Sequence, residues 1–366
     1  MKILYITAFP PNKNTAGQNY SRQLLDDLVL SHDIDLIYWN YKDHEILVNP
    51  KINILKSIDI DRKKIRSLNL NIFFPLFSKR YSKDISQYLN LIVNRYDLIY
   101  FDFSQVFMYA LGIDHPLKIG MSHDVIAQKF SRHRLFKYLL PWIKISERKC
   151  LENLNKIFTF STKDSNYIRK TYGLQAGIVP FYLEPKIMNF KLDNLKLDDY
   201  YVMYGAWNRK ENQESLKWLL NCSIKDSKHI KIIGGGLPID FQRRISLYTN
   251  IEYCGFIENP YPVIASSKGL IAPLFNGAGV KVKVIESLAL GTPVIGTDVT
   301  FEGIENIPFR NMGALINISN NRIECLIDEL DTITTNEKIS IRNNFLAGYN
   351  STKFKDCLKN LSIFNN

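Results

Sequence analysis

Short apolar runs recur along the chain, separated by longer stretches in which apolar residues return every three or four positions. KILYITAF (2–9), DIDLIYWN (33–40), YDLIYFD (96–102), LKIGMSHD (117–124) and KIFTFS (156–161) have strand length. Residues 21–30 and 134–154, lying between them, have helical spacing. Continuous apolar runs joined by helical segments predict a parallel sheet covered by helices on both faces. The alternation then restarts with YVMYGAW (201–207), IKIIGG (230–235), IEYCGF (251–256), KGLIAPL (268–274), PVIGT (293–297) and GALIN (313–317). Between the two series, residues 183–199 are polar and poorly periodic and read as a linker. The pattern therefore predicts two doubly wound α/β domains, 1–182 and 200–348, with one more helix over 349–366. In open α/β sheets ligands bind beyond the carboxyl ends of the strands, where helix N-termini point. Two such domains facing each other would enclose a cleft.

Composition narrows the class. The 366 residues are 46% hydrophobic and 23% charged, an ordinary globular profile. No apolar run approaches the ~18 residues of a membrane-spanning helix. The opening MKILYITAFPP is too short for a secretory signal, has no small-residue cleavage site behind it and reads as a buried strand. Cys150, Cys222, Cys254, Cys325 and Cys357 are scattered without paired spacing, which points away from zinc and disulfides and towards a reducing compartment. The net charge of +11 is uneven: residues 1–190 carry 27 Lys and Arg against 17 Asp and Glu, and residues 191–366 carry 20 against 19. A basic first half calls for an anionic partner, whether lipid, nucleic acid or a phosphorylated substrate.

Four places after strands carry candidate chemistry. In PPNKNTAGQNYSRQLL, Gly17 opens a helix whose N-terminus would suit a phosphate, although a plain strand–helix turn has the same composition. His123 and Asp124 end the fourth run, as cleft-facing groups or as a satisfied histidine beside a capping aspartate. In GAWNRKENQESLKWLL (205–220), Arg209 and Lys210 stand at a helix start, where the dipole prefers acids. An anionic ligand would resolve that conflict; a solvated turn is the bland alternative. In FNGAGVKVKVIESLALGTPVIGT (275–297), Gly277 and Gly279 leave helix N-terminal amides uncovered, with Lys281 and Lys283 just behind. Lys283, Glu286 and Leu290 share a helix face. A ligand with a diphosphate at one end and a ribose at the other fits that layout. A surface helix with an internal Lys–Glu pair fits the spacing too but leaves the glycines and the following GTPVIGT unexplained.

GAGVKVKVIESLALGTPVIGTDVTFEGIE resembles the donor-site signature of the group 1, family 4-like retaining glycosyltransferases of the GT-B fold. YGAWNRKENQESLKWLL resembles their first donor-domain loop, and MSHDV with ERKCLENLNKIFTFSTKDSNYIRKTYG resembles the end of their acceptor domain. The resemblance implies two Rossmann-like domains facing an interdomain cleft. It implies that Glu286 binds the ribose and that Lys283, with Lys281, contacts the donor diphosphate. Arg209 or Lys210 would be the second diphosphate cation, Gly17 would let the diphosphate or sugar approach, and His123 would stand near the reaction centre. Gly255, Phe256 and Ile257 would meet the base. Most of the family has a glutamate where this chain has Ala278, so the amides of Gly277, Ala278 and Gly279 are the substitutes for holding the sugar. Retention of configuration follows from the resemblance alone.

The expected function is transfer of a sugar from a nucleotide-diphosphate sugar to a glycan or lipid-diphosphate-linked acceptor in bacterial surface polysaccharide synthesis. His123, Arg209 and Lys283 are the expected catalytic residues. No metal and no cofactor beyond the donor is expected, since the donor region has no DxD element. A nucleotide-sugar epimerase or phosphorylase on the same fold is an alternative, as is a non-catalytic basic module. No aromatic-basic RNA motif is present, so nucleic acid is not the expected partner. The basic first half is expected to meet the anionic inner face of the cell membrane from the cytoplasm. NLNIFFPLFSKRYSKDISQYL (69–89) places Phe73, Phe74, Leu76 and Phe77 beside Lys79, Arg80 and Lys83 as the contact.

Overall fold

The computed structural model describes residues 1–40, 45–60, 73–131, 134–193, 195–277, 279–304, 313–315 and 323–349. Ala278, residues 69–72 and 316–317, and all but the first residue of the expected C-terminal helix lie outside the described residues. The chain divides into two compact units, Met1–Tyr182 and Leu183–Asn350.

The first unit is built on seven strands: β1 (Lys2–Thr7), β2 (Asp33–Asn40), β3 (Asn53–Asp59), β4 (Leu98–Asp102), β5 (Lys118–Ser122), β6 (Lys156–Thr159) and β7 (Gly177–Ile178). They are all parallel, in the order β3-β2-β1-β4-β5-β6-β7. Ile3, Leu4, Tyr5 and Ile6 of β1 are fully buried, as is every residue of β4. Strands buried on both faces are apolar throughout, which made them readable. The two edge strands of this sheet do not stand out in the sequence: β3 is largely exposed and β7 has two residues.

The second unit has six parallel strands: β8 (Tyr201–Tyr204), β9 (Ile230–Ile233), β10 (Ile251–Gly255), β11 (Gly269–Ala272), β12 (Val294–Gly296) and β13 (Gly313–Leu315). Their order is β10-β9-β8-β11-β12-β13. Residues 183–199, polar in sequence, bury Leu183, Ile187 and Leu192 within this unit. Both sheets are thus doubly wound. In each, the strand order reverses at one point: between β1 and β4, and between β8 and β11. Ligand sites of open α/β sheets form at these points, beyond the carboxyl ends of the strands.

Two helices differ from their sequence reading. The first runs Ala16–Leu28, five residues earlier than expected, because the Thr15 hydroxyl caps it by accepting the Gln18 N–H at 3.3 Å. Gln18, Ser21 and Gln23 are buried, so polar residues on the inner face hid the period. The stretch 134–154 is broken: 3₁₀ turns occupy Arg134–Leu139 and an α-helix follows over Leu140–Leu151, with Pro141 in its first turn.

The surface role expected for Phe73–Phe77 is overturned. Phe77 is fully buried and Phe74 is 7% exposed, while Phe73 and Leu76 pack against the same core. The Phe74 ring meets Trp142 edge-on at 5.4 Å, and its N–H donates to Ser146 Oγ at 2.8 Å. Arg80 turns inward, donating to the Ala8 carbonyl at 3.0 Å over the Phe9 ring. The helix Leu140–Leu151 offers these aromatics an apolar wall, and each buried ring gains about 1.5–3 kcal/mol over exposure.

Candidate functional sites

In the first unit, polar groups converge where β1 and β4 part. Thr7 and Asp102 are register partners at the ends of these strands. The Asp102 carboxylate is fully buried. Its Oδ2 accepts from Tyr5 Oη at 3.0 Å, from Thr7 Oγ1 at 3.4 Å and from Ser21 Oγ. Its Oδ1 pairs with His123 Nε2 at 2.7 Å. A carboxylate only accepts, so Nε2 carries the proton of this contact and Nδ1 is the other ring position. The imidazole lies flat on Phe103, centroids 3.6 Å apart, with the edges of Phe160 and Tyr20 at 5.0 and 5.4 Å.

Phe103 holds that stacking at a cost. It is the only non-glycine with positive φ among the described residues, at 72°. Such a backbone costs about 1–3 kcal/mol and is kept where the surroundings over-determine it. Gly17 is required by close approach: a Cβ there would stand 2.9 Å from Phe103 Cε1 and 3.2 Å from His123 Nδ1. The structure thus brings Gly17 and His123 together. Asp124 does not join them; its carboxylate pairs with Lys129 at 2.8 Å.

The loop bearing His123 is fixed from behind by Glu147. This buried carboxylate accepts the N–H groups of Ile126 and Ala127 at 2.6 and 2.9 Å, the first turn of helix Ile126–Ser131. Tyr172 donates to it as well, at 2.6 Å. Burial pushes its pKa up to about 7, against the pull of those three donors.

In the second unit, the loops after β8 and β11 flank the other reversal point. Arg209 is the N-cap residue of helix Lys210–Leu219, mostly exposed, with Nε 3.0 Å from Glu211. Lys210 is exposed. After β11, Gly277 and Gly279 adopt φ of 131° and 70° and lead into helix Val282–Ala289, with Lys281 at its N-cap. Lys281 Nζ donates to the Gly279 carbonyl at 2.7 Å and lies 3.8 Å from Glu302.

Lys283 is half-buried, and its Nζ donates to Asn212 Oδ1 at 2.9 Å. Asn212 Nδ2 donates in turn to the Ala206 carbonyl at 2.8 Å, so this amide ties the first loop to the second. Burial lowers the Lys283 pKa to about 8; Glu211 opposes the shift, and Arg209 and Lys281 add to it. Among the described residues Lys283 makes no ion pair. Glu286 accepts from Tyr261 Oη at 3.4 Å. Burial raises its pKa to about 8, with Glu184 adding to the shift and Tyr261 opposing it. Lys283 and Glu286 therefore turn to different partners, and the internal Lys–Glu pair does not form. A desolvated ammonium in the field of two further cations is stabilised by a nearby negative charge.

The loop after β10 closes the group. Gly255 has φ 68°, and its carbonyl accepts the Gly234 N–H at 2.7 Å. Phe256 is 79% exposed, and Ile257 is half-buried. The Asn208 backbone lies within 3.2 Å of a Cβ position at Gly236. The first loop and the loops after β9 and β10 are therefore contiguous. Asp102, Phe103, Asn212 and Tyr261 were not singled out in the sequence. Asp102 had a signal, a carboxylate ending an otherwise apolar strand; the others had none.

Residues 199–336 match the family described as Glycosyl transferases group 1. No curated protein matches in sequence. Among solved structures, sucrose-phosphate synthase from Thermosynechococcus elongatus is 14% identical with a TM-score of 0.68, covering 99% of each chain. Anabaena HepE, solved with UDP, is 12% identical with a TM-score of 0.66, covering 99% of this chain and all of its own. WaaG, a glycosyltransferase involved in lipopolysaccharide biosynthesis, is 13% identical with a TM-score of 0.65, covering 94% of each chain. At these identities the structures show the fold. The chain has the GT-B fold, and residues 199–336, within its second unit, are similar to the group 1 glycosyl transferases.

Proposed function

We propose that the protein moves a sugar from a nucleotide-diphosphate sugar to a hydroxyl of a glycan or lipid-diphosphate-linked acceptor. In this reading transfer proceeds with retention, needs no metal, and serves bacterial surface polysaccharide synthesis at the inner face of the membrane. The observation that carries it is Lys283: a half-buried ammonium held by Asn212 behind the Gly277–Gly279 loop, with Arg209 and Lys281 beside it. Charge that grows on a departing diphosphate gains most from preorganised cations of this kind. Glu286, three residues on along the helix, would receive ribose hydroxyls. His123, oriented by Asp102 and Phe103, would face the sugar and acceptor. HepE has also been solved with UDP-glucose, and WaaB is a lipopolysaccharide outer core galactosyltransferase. These similarities favour a UDP-sugar and a lipid-linked glycan acceptor.

Calorimetry with UDP, GDP and ADP and their sugars tests the donor. Saturable binding of one nucleotide series, weakened about 10-fold by Glu286→Gln, is the expected result, because the amide replaces a carboxyl oxygen that accepts a ribose hydroxyl with an NH₂ group that cannot. Failure of every nucleotide diphosphate to bind, or unchanged affinity in that variant, would refute the assignment. Turnover that persists in EDTA supports the metal-free step, and complete loss restored by a divalent cation would remove it.

A further inference from the structure

The basic surplus of residues 1–190 has no role in a donor site built from residues 205–286. With Phe73–Phe77 buried, another face must carry any lipid contact. Four large apolar side chains are exposed within one eight-residue stretch: Tyr138 (92%), Leu139 (38%), Trp142 (37%) and Ile145 (53%). They lie on the last 3₁₀ turn and the first turns of helix Leu140–Leu151. Trp142, Ile145 and Lys149 follow helical spacing on the exposed side of the helix, with Tyr138 and Leu139 exposed on the 3₁₀ turn before it, while Ile143, Ser146, Glu147 and Cys150 face the core.

The charges of this segment point one way. Lys137, Lys144, Arg148 and Lys149 are its cations between 136 and 151. Its single acid there, Glu147, is buried and turned to the N–H groups of Ile126 and Ala127. Arg148 is partly offset by Glu152 at 2.6 Å, and Lys149 lies over the Phe73 ring. The helix is anchored beneath its exposed side: Trp142 meets the Phe74 ring edge-on, and Ser146 ties the helix to that residue. An aromatic and aliphatic stripe flanked by cations suits the interface of an anionic bilayer, where rings sit at headgroup depth and cations near phosphate. A second copy of this chain fits less well, because an isologous contact would set the cations of one stripe against those of the other.

We propose that Tyr138, Leu139, Trp142 and Ile145, with Lys137 and Lys144, dock the first domain on an anionic lipid surface. This rests on the lipid-linked acceptor reading above and names the face that reading requires.

Co-sedimentation of the full chain with phosphatidylglycerol-containing vesicles, against pure phosphatidylcholine vesicles, tests it. Wild type is expected in the pellet with the anionic vesicles only, and released by salt at about 0.5 M, where screening is nearly complete. The pair Tyr138→Ser with Ile145→Ser should weaken binding about tenfold or more by loss of apolar burial. Lys137→Glu with Lys144→Glu should weaken it about fivefold for each cation lost. Trp142 emission should shift to the blue on the vesicles, and Trp142→Phe should abolish the shift. Equal recovery of wild type in the supernatant with and without anionic vesicles overturns the proposal. So does undiminished binding by both double variants, or a concentration-dependent dimer broken by them without vesicle binding. Nucleotide binding is followed alongside. Vesicle binding without nucleotide binding removes the transferase reading and leaves the docking face; the converse removes only the face.

Discussion

Asp102 closes a wholly buried strand with a carboxylate, and its four hydrogen-bonding contacts account for that position. Three donors fill one oxygen, and the other orients the His123 ring on the strained Phe103. His123→Ala should therefore leave the fold intact and lower kcat by about 10²–10⁴-fold, the range of a lost proton-transfer or positioning group. Unchanged turnover, with an unchanged circular dichroism melt, would show that the histidine only packs. Lys283 gives a second residue-scale prediction, with its sign fixed by the lowered pKa of about 8. The ammonium is the anion-binding form, so nucleotide-diphosphate affinity should be full below pH 8 and fall as pH rises through it. Lys283→Arg should remove that step, since a guanidinium stays charged. Calorimetry from pH 7 to 9.5 in the Glu286→Gln background, where the carboxyl with a pKa of about 8 no longer titrates, reads both, and a flat profile there would place the ammonium away from the anion. Lys283 and Glu286 could be seen in the sequence because glycines and cations keep a fixed spacing there. Asn212 could not be seen, because its role depends on two loops 71 residues apart meeting at Lys283 Nζ.

At the scale of elements, helix ends explain residues that chemistry leaves over. The GTP of the GTPVIGT stretch ends helix Val282–Ala289: Gly291 has φ 75°, and its N–H bonds to the Leu288 carbonyl at 3.0 Å. A Cβ on Gly291 would stand 2.3 Å from the Lys338 carbonyl, so helix Thr335–Gly348 packs on this turn. The buried Lys338 ammonium pins the same place, donating to the carbonyls of Ala265 and Ser267 and to Thr292 Oγ1. Lys338→Ala would leave those acceptors buried and unpaired, at about 1–3 kcal/mol each. A urea midpoint lowered accordingly is expected, and an unchanged midpoint would mean that water replaces the amine. Glu147 does comparable work behind His123. Glu147→Gln would set an NH₂ group against one of its donors, costing about 1–3 kcal/mol and loosening the loop. Such partners lie far off in sequence, and no periodicity shows them. Central strands were legible because both faces are buried; β3 and β7, at the sheet edge, lacked that pattern.

For the whole molecule, charge and chemistry fall in different halves. The surplus of ten positive charges belongs to residues 1–190, whereas Arg209, Lys281 and Lys283 lie in a half with 20 basic and 19 acidic residues. A long-range field from many exposed cations is screened by salt, with a Debye length of about 8 Å at physiological strength. A short-range contact to a half-buried ammonium is screened much less. Raising salt from about 0.05 to 0.5 M should therefore release the chain from anionic vesicles while changing its affinity for a nucleotide diphosphate only a few-fold. Amide hydrogen exchange locates the second effect. Bound nucleotide should slow exchange in 205–212, 255–257 and 279–286, the segments that meet beyond β8, β10 and β11, and leave 136–151 as fast as before. Vesicles should do the opposite. Protection of 136–151 by nucleotide alone, or equal salt sensitivity of the two bindings, would show that one anion site serves both and that the division of labour between the halves is wrong.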